Sequence, residues 1–211
     1  MTDMTTGALL GFTVVALLGV MTPGLDTMLI LRNSILGGRR RGIAALLGIS
    51  AGCLVWGSAS VLGLTALLTA SHVAYNAVRI AGAAYLLWLG GSALWKSLRR
   101  KGETVEEQAV PTAPSWGKAF RSGMLTNLLN PKVGVFYMSL LPQFIPAGAP
   151  AWGAVLVLIH VGAGLLWLGG LVWAAGKAKR FLSREAVKRW LDRVTATVLI
   201  GLGVKLAVEV G

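Results

Sequence analysis

Two charges stand deep inside apolar sequence. Asp26 is the only charged residue between Gly7 and Leu31, and Lys132 lies well inside the stretch Ala119–Pro142. A carboxylate at membrane depth costs at least ~2.5 kcal/mol, so such a group lines a cavity or meets a partner. Each charge adjoins a helix-breaking sequence: Thr22-Pro23-Gly24 just before Asp26, and Asn130-Pro131 immediately before Lys132. A break releases backbone carbonyl and N–H groups that a ligand or ion can use. Either break by itself reads most simply as an ordinary kink. Two of them, at matching positions of two halves and each beside a charge, point to the binding site of a transporter.

The chemistry open to these residues is specific. Asp26 lies ~9 Å from the inner end of its stretch by helical rise, and Lys132 lies ~20 Å into its own, near mid-membrane. Asp26 suits a substrate ammonium group or a coupling proton; its structural alternative is a pair with Lys132 or Arg32. Lys132 suits the carboxylate of an amino acid, or neutralises Asp26 in the empty carrier, and the two roles fit successive states of one cycle. Asn33, Asn127 and Asn130 both accept and donate. They suit a zwitterion, and equally well the unpaired backbone of a broken helix. His160, roughly 14 Å deep, is able to relay protons, although a histidine hydrogen-bonded between helices is the commoner arrangement. Two histidines and one cysteine far apart make no metal cluster, and Cys53 has no partner for an internal disulfide. No Gly-x4-Gly-Lys-Ser/Thr phosphate loop is present. No cofactor is therefore expected, and no nucleophile–base constellation of an enzyme is visible.

Helices in a bilayer must position these groups. Of the 211 residues 55% are hydrophobic and only 13% charged, against about 25% charged in soluble domains, and the mean hydropathy is +0.70. Six stretches are long enough, or nearly so, to cross a membrane: Gly7–Leu31, Ile43–Thr69, His72–Trp95, Ala119–Pro142, Ala151–Ala175 and Val194–Val210. The last is the shortest and contains Lys205. The expected class is thus an all-α integral membrane protein with six transmembrane helices, the first and fourth broken.

Charge placement orients the spans. The net charge of +12 would also suit a nucleic-acid binder, but the basic residues gather between apolar stretches. The five connections carry 4, 0, 6, 0 and 7 of them, from Arg32–Gly42 through to Lys177–Arg193. Positive residues mark cytoplasmic loops, so the odd connections lie in the cytoplasm and both termini outside. Arg79 is the exception and reads as snorkelling to the outer interface. In the fifth connection Ser183 is a plausible N-cap, and Val187, Trp190, Leu191 and Val194 follow at helical spacing with basic residues opposite. That pattern fits a helix lying on an anionic leaflet. The segment 96–118 reads as a solvated linker.

Three spans on either side of that linker place the second half upside down relative to the first. The halves are 1–95 and 119–211. Pro23 then matches Pro131, Ala51-Gly52 matches Ala163-Gly164, and Leu86–Gly90 matches Leu199–Gly203, at offsets of 108, 112 and 113. Such inverted repeats hold substrate near the midplane, between the repeats. Gly48 with Gly52, and Gly7 with Gly11, read as helix-packing pairs.

Several longer motifs resemble a known family. The stretch Thr22-Pro-Gly-Leu-Asp-Thr-Met-Leu-Ile-Leu-Arg-Asn-Ser34, with Gly38-Arg-Arg-Arg-Gly42, is similar to the first signature of the LysE/RhtB amino-acid exporters, the LysE-type translocators. Ala81–Gly90, Phe120–Lys132 and Leu141-Pro-Gln-Phe144 resemble its later signatures, in order and spacing over most of the chain. The family's usual second proline is Leu25 here. The resemblance implies a six-helix inner-membrane carrier that exports amino acids or related small metabolites, driven by the proton gradient. Export and amino-acid cargo rest on the resemblance alone. The expected partners are that metabolite, protons and the lipid bilayer, without nucleic acid; a homo-oligomer is compatible.

Other readings are weaker on physical grounds. A hard cation prefers 6 or more oxygen ligands, whereas one carboxylate is thin coordination and Lys132 would repel the ion. A non-transporting scaffold offers no reason for charges beside both breaks. If Asp26 and Lys132 form a pair that serves transport, neutralising either should abolish it. Full recovery in the double variant Asp26→Asn/Lys132→Gln, read by substrate-dependent quenching of a vesicle pH gradient, would make the pair purely structural.

Overall fold

The structure of the protein, a computed structural model, describes residues 6–70, 115–146 and 149–175, with scattered positions between 77 and 95 and between 177 and 204. All elements among the described residues are helical. Of the expected linker 96–118, residues 96–114 lie outside them, as do Arg79, Ser183, Leu191 and Lys205.

Helix α1 (Thr6–Met21) stops at the first expected break. Pro23 has no N–H to donate and pushes Thr22 away from helical geometry. The Thr22 hydroxyl donates back to the Leu18 carbonyl at 2.7 Å, which also accepts from the Thr22 N–H at 3.1 Å and closes the last turn of α1. The chain becomes helical again at Leu25, and the Met28 N–H to Gly24 carbonyl bond, 3.0 Å, is its first rung.

The next helical segment, α2 (Leu25–Ala70), is two helices that meet at a sharp corner inside the expected connection Arg32–Gly42. The segment is helical except at a single corner, Gly38, with φ 72° and ψ 175°. Arginine is a good helix former, so the connection is helical up to that corner and helical again directly after it. Only glycine adopts that corner without strain.

The fourth stretch opens with α3 (Trp116–Leu128), capped by Ser115, whose Oγ accepts from the Lys118 N–H at 3.4 Å. It breaks at Leu129-Asn130 and restarts as α4 (Pro131–Val135). Asn130 is the cap there, its Oδ1 accepting from the Lys132 N–H at 3.1 Å, and Pro131 takes the first helical position, where a missing N–H costs nothing. The chain continues through a π turn (Phe136–Leu140) and a 3-10 turn (Leu141–Phe144). Helix α5 (Ala151–Trp173) completes the described core.

Two of these helices, over 25–63 and Ala151–Trp173, are long and apolar enough to cross a membrane. On α5 the apolar character runs all the way round. Leu156, Val157, Ala163 and Leu168 are buried, while Leu158 and Leu166 are 63% and 79% exposed. Such a helix faces lipid on the side that protein does not cover.

Close approaches set the helix directions. Gly123 lies against the Ala45 carbonyl, Gly48 against the Phe120 carbonyl, and Gly52 against the Asn127 side chain, so α2 beyond its corner runs parallel to α3. Against α5 it runs antiparallel, with Gly42 near Val172, Gly57 near Val157 and Gly153 near Val61. Arg39 rests 4.2 Å over the Trp173 ring and ties the start of one to the end of the other. Helix α1 is antiparallel to the chain after the second break: Phe12 packs 5.3 Å edge-on to Phe144, and Gly19 faces Phe136.

Among the described residues the Gly7–Gly11 pairing is corrected. A Cβ at Gly7 would meet nothing within 4 Å, whereas one at Gly11 would touch Phe144 at 3.6 Å. Of the expected leaflet helix, Val187 packs against the core and Trp190 is exposed. Because a Cβ at Gly48 would collide with backbone, Gly48→Ala should cost about 1–3 kcal/mol. Gly162→Ala, which meets nothing within 4 Å, should be near neutral. Thermal unfolding of both variants in detergent checks the contrast.

Candidate functional site

The two breaks face one another. The Lys132 ammonium Nζ, from α4, donates to the Thr22 carbonyl at the frayed end of α1, 3.0 Å away. A helix C-terminus is the negative end of its dipole, so a cation is favoured there. Gly24 lies beside this contact: a Cβ at that position would sit 3.9 Å from Nζ, at ordinary van der Waals distance. Asp26 occupies the first turn of α2, the positive end of that helix. Its Oδ2 accepts from Asn127 Nδ2 at 2.9 Å, a contact between the chains of the two breaks. The other carboxylate oxygen, Oδ1, is buried without a hydrogen-bond partner.

A cavity of about 80 Å³ opens between α1, α2, α5 and the broken fourth stretch. Asp26, Lys132, Asn127, Asn130, His160 and Gly24 all line it. The charges of Asp26 and Lys132 act on one another through space, and that of Lys132 also reaches His160. Asn33 is not among the lining residues; its amide donates to the Leu29 carbonyl of its own helix at 2.9 Å. Pro23 and Pro131 do not line the cavity either, and act by shaping the backbone that does.

His160 is buried, and its Nδ1 is 2.7 Å from the Tyr137 hydroxyl. Its ring lies 4.2 Å from that of Phe136. The histidine is therefore hydrogen-bonded between helices and also borders the cavity. Tyr137 escaped the reading of the sequence. Its signal was a phenol within an apolar stretch, where the O–H requires a partner. The π turn that holds it leaves the Tyr137 carbonyl to accept from the Ser60 hydroxyl. Cys53 escaped as well: its sulfur is 3.4 Å from Asn127 Nδ2, within the same buried cluster.

This arrangement offers an acceptor with nothing to accept, Asp26 Oδ1, beside a cation held by a neutral backbone carbonyl. A small molecule with one positive and one negative group complements both. The ammonium–carbonyl bond also has a structural role. Lys132→Met should destabilise the protein by about 1.5–3 kcal/mol, the range for a hydrogen bond to a charged group, in denaturant titrations in mild detergent. An unchanged midpoint would remove the bond from the account of how the breaks are joined.

Residues 17–210 match the model of the family described as LysE type translocator. The chain is 28% identical to the "Uncharacterized membrane protein YrhP" of Bacillus subtilis (strain 168), over 94% of this chain and 97% of the relative. It is 28% identical to the "Threonine efflux protein" of Salmonella typhi, over 95% and 98%. The "Leucine efflux protein" of Salmonella choleraesuis (strain SC-B67) is 34% identical over 66% of this chain and 64% of its own length. No solved structure matches. With a family match over nearly the whole chain and both helix breaks at the cavity, this protein belongs to the LysE type translocator family.

Proposed function

We propose that the chain is a six-helix inner-membrane secondary carrier that exports amino acids or close derivatives by proton antiport. Its two inverted repeats are 1–95 and 119–211, joined by a cytoplasmic linker at 96–118, with both termini outside. The observation that carries this reading is the meeting of two broken helices over one cavity, with Lys132 on the Thr22 carbonyl and Asp26 beside it. The antiparallel run of α2 and α5 is what inversion requires of the second helix of each repeat. Arg39 over Trp173 supports a cytoplasmic location for both of those helix ends. The cargo class follows from relatives named for threonine and leucine efflux.

Coupling then needs no second site. With the cavity open to the cytoplasm, Asp26 releases its proton and Oδ1 takes the substrate ammonium group. Lys132 exchanges the Thr22 carbonyl for the substrate carboxylate. One repeat rocks against the other around Pro23 and Pro131. On the outer side a proton neutralises Asp26, the ammonium group loses its partner, and substrate leaves. Because proton and ammonium compete for one carboxylate, neither crosses in the same direction as the other. Asn127 orients that carboxylate, Asn130 holds the start of α4, and His160 with Tyr137 stands ready as a proton path along the cavity wall. Asn33 supports the α2 backbone at a distance.

A cation carrier fits less well. Among the described residues no three His, Cys, Asp or Glu side chains gather to hold a metal ion. The decisive test is uptake of labelled amino acids into inside-out vesicles. Accumulation should require an imposed proton gradient and vanish in Asp26→Asn. Failure of folded wild-type protein to move any amino acid would overturn the cargo assignment.

A further inference from the structure

The cavity carries information about the side chain of its cargo. Among the described residues that line it there is one carboxylate, Asp26, and one ammonium group, Lys132. The two charges of an amino-acid backbone occupy both. A substrate with a second ammonium or guanidinium group would bring an unpaired charge into a buried site, which is strongly unfavourable. The same holds for a second carboxylate. Much of the remaining wall is apolar, built from Val15, Leu18, Phe136, Val161 and Leu168.

Gly164 stands in this wall between Val161 and Leu168, at the spacing that places all three on one face of α5. Gly52, which also faces this region, has no spare room: a Cβ there would reach 2.6 Å from Asn127 Oδ1. At Gly164 a Cβ would meet nothing within 4 Å. Among the described residues no neighbour packs where its side chain would be, so a larger residue there would take space from the cavity it lines.

We propose that this carrier's cargo is the class of neutral aliphatic amino acids, and that Gly164 sets the largest side chain it accepts. The proposal rests on the exporter reading and adds the substrate class and the residue that limits it. One or a few methylene groups in an apolar pocket discriminate by about tenfold or more, which makes the effect measurable as a ratio of two substrates.

The experiment is counterflow in proteoliposomes holding the full chain, with labelled leucine, alanine and lysine. Wild type should exchange leucine and alanine but not lysine. Gly164→Val should lower the leucine-to-alanine ratio by about tenfold or more, and Gly164→Ala should lower it by less. Val161→Ala, which widens the same wall, should raise it. Gly164→Ala adds one methyl group to open space, so it keeps the test alive if the valine variant does not fold. An unchanged ratio in the folded Gly164 variants, with Asp26→Asn still inactive, would overturn the role of Gly164 and leave the exporter reading standing. Lysine exchange equal to leucine exchange would overturn the substrate class. Absence of any amino-acid exchange by wild type would overturn the exporter reading and this inference with it.

Discussion

The contact on which the site depends is the Lys132 ammonium group on the Thr22 carbonyl. A helix cut inside a membrane leaves polar backbone groups that water cannot reach, and each unsatisfied group costs several kcal/mol in hydrocarbon. Proline at position 23 makes such a cut unavoidable. The second break, at Asn130-Pro131, delivers the cation that answers it. Asp26 completes the arrangement from the other side, an anion at the start of a helix, held by an amide from the partner break. The first break is thus satisfied from the second, while the second is capped by its own Asn130. The binding groups are what remains of that satisfaction: one carboxylate oxygen without a partner and one cation on a weak, neutral acceptor.

Two kinds of packing surround this junction. Between α2 and α3, Gly48, Gly52 and Gly123 bring backbones into contact, and that closeness lets Asn127 reach both Asp26 and Cys53. Interiors packed this tightly transmit displacement rather than absorb it. Helix α5 is close-packed against α2 at Gly57 and Gly153, but Gly162 and Gly164 meet no described neighbour at their Cβ positions. The π turn belongs to the same design, since its register aims the Tyr137 hydroxyl at His160 and frees its carbonyl for Ser60.

The positions of the breaks are legible in the residues themselves, because a proline's missing N–H is a covalent fact that acts wherever the residue stands. The Gly48–Gly52 contact is legible as well, but the same pattern at Gly7 and Gly11 misleads, since small residues permit an approach without compelling one. The arginine-rich run of 32–42 holds the corner between the two helical parts of α2. Charge reports on which side of a membrane a segment lies, while the point of the turn is set by Gly38, in a conformation that other residues rarely adopt. Asn33 and Asn127 illustrate the remaining limit. Both are amides near a break, yet one bonds to its own helix and the other to Asp26.

Sequence alone therefore determined what each segment is able to do: which stretches are apolar enough for lipid, where helices must break, which charges must find partners, and which runs carry the basic residues. These follow from local covalent chemistry and solvation, and the family membership follows with them. Tertiary structure decided who meets whom. That Lys132 takes a backbone carbonyl of the first break, that Asn127 holds one oxygen of Asp26, and that Tyr137 faces His160 depend on helix rotation and close approach. Those are collective properties of packing, set when distant segments exclude one another's volume, and no single stretch of residues contains them.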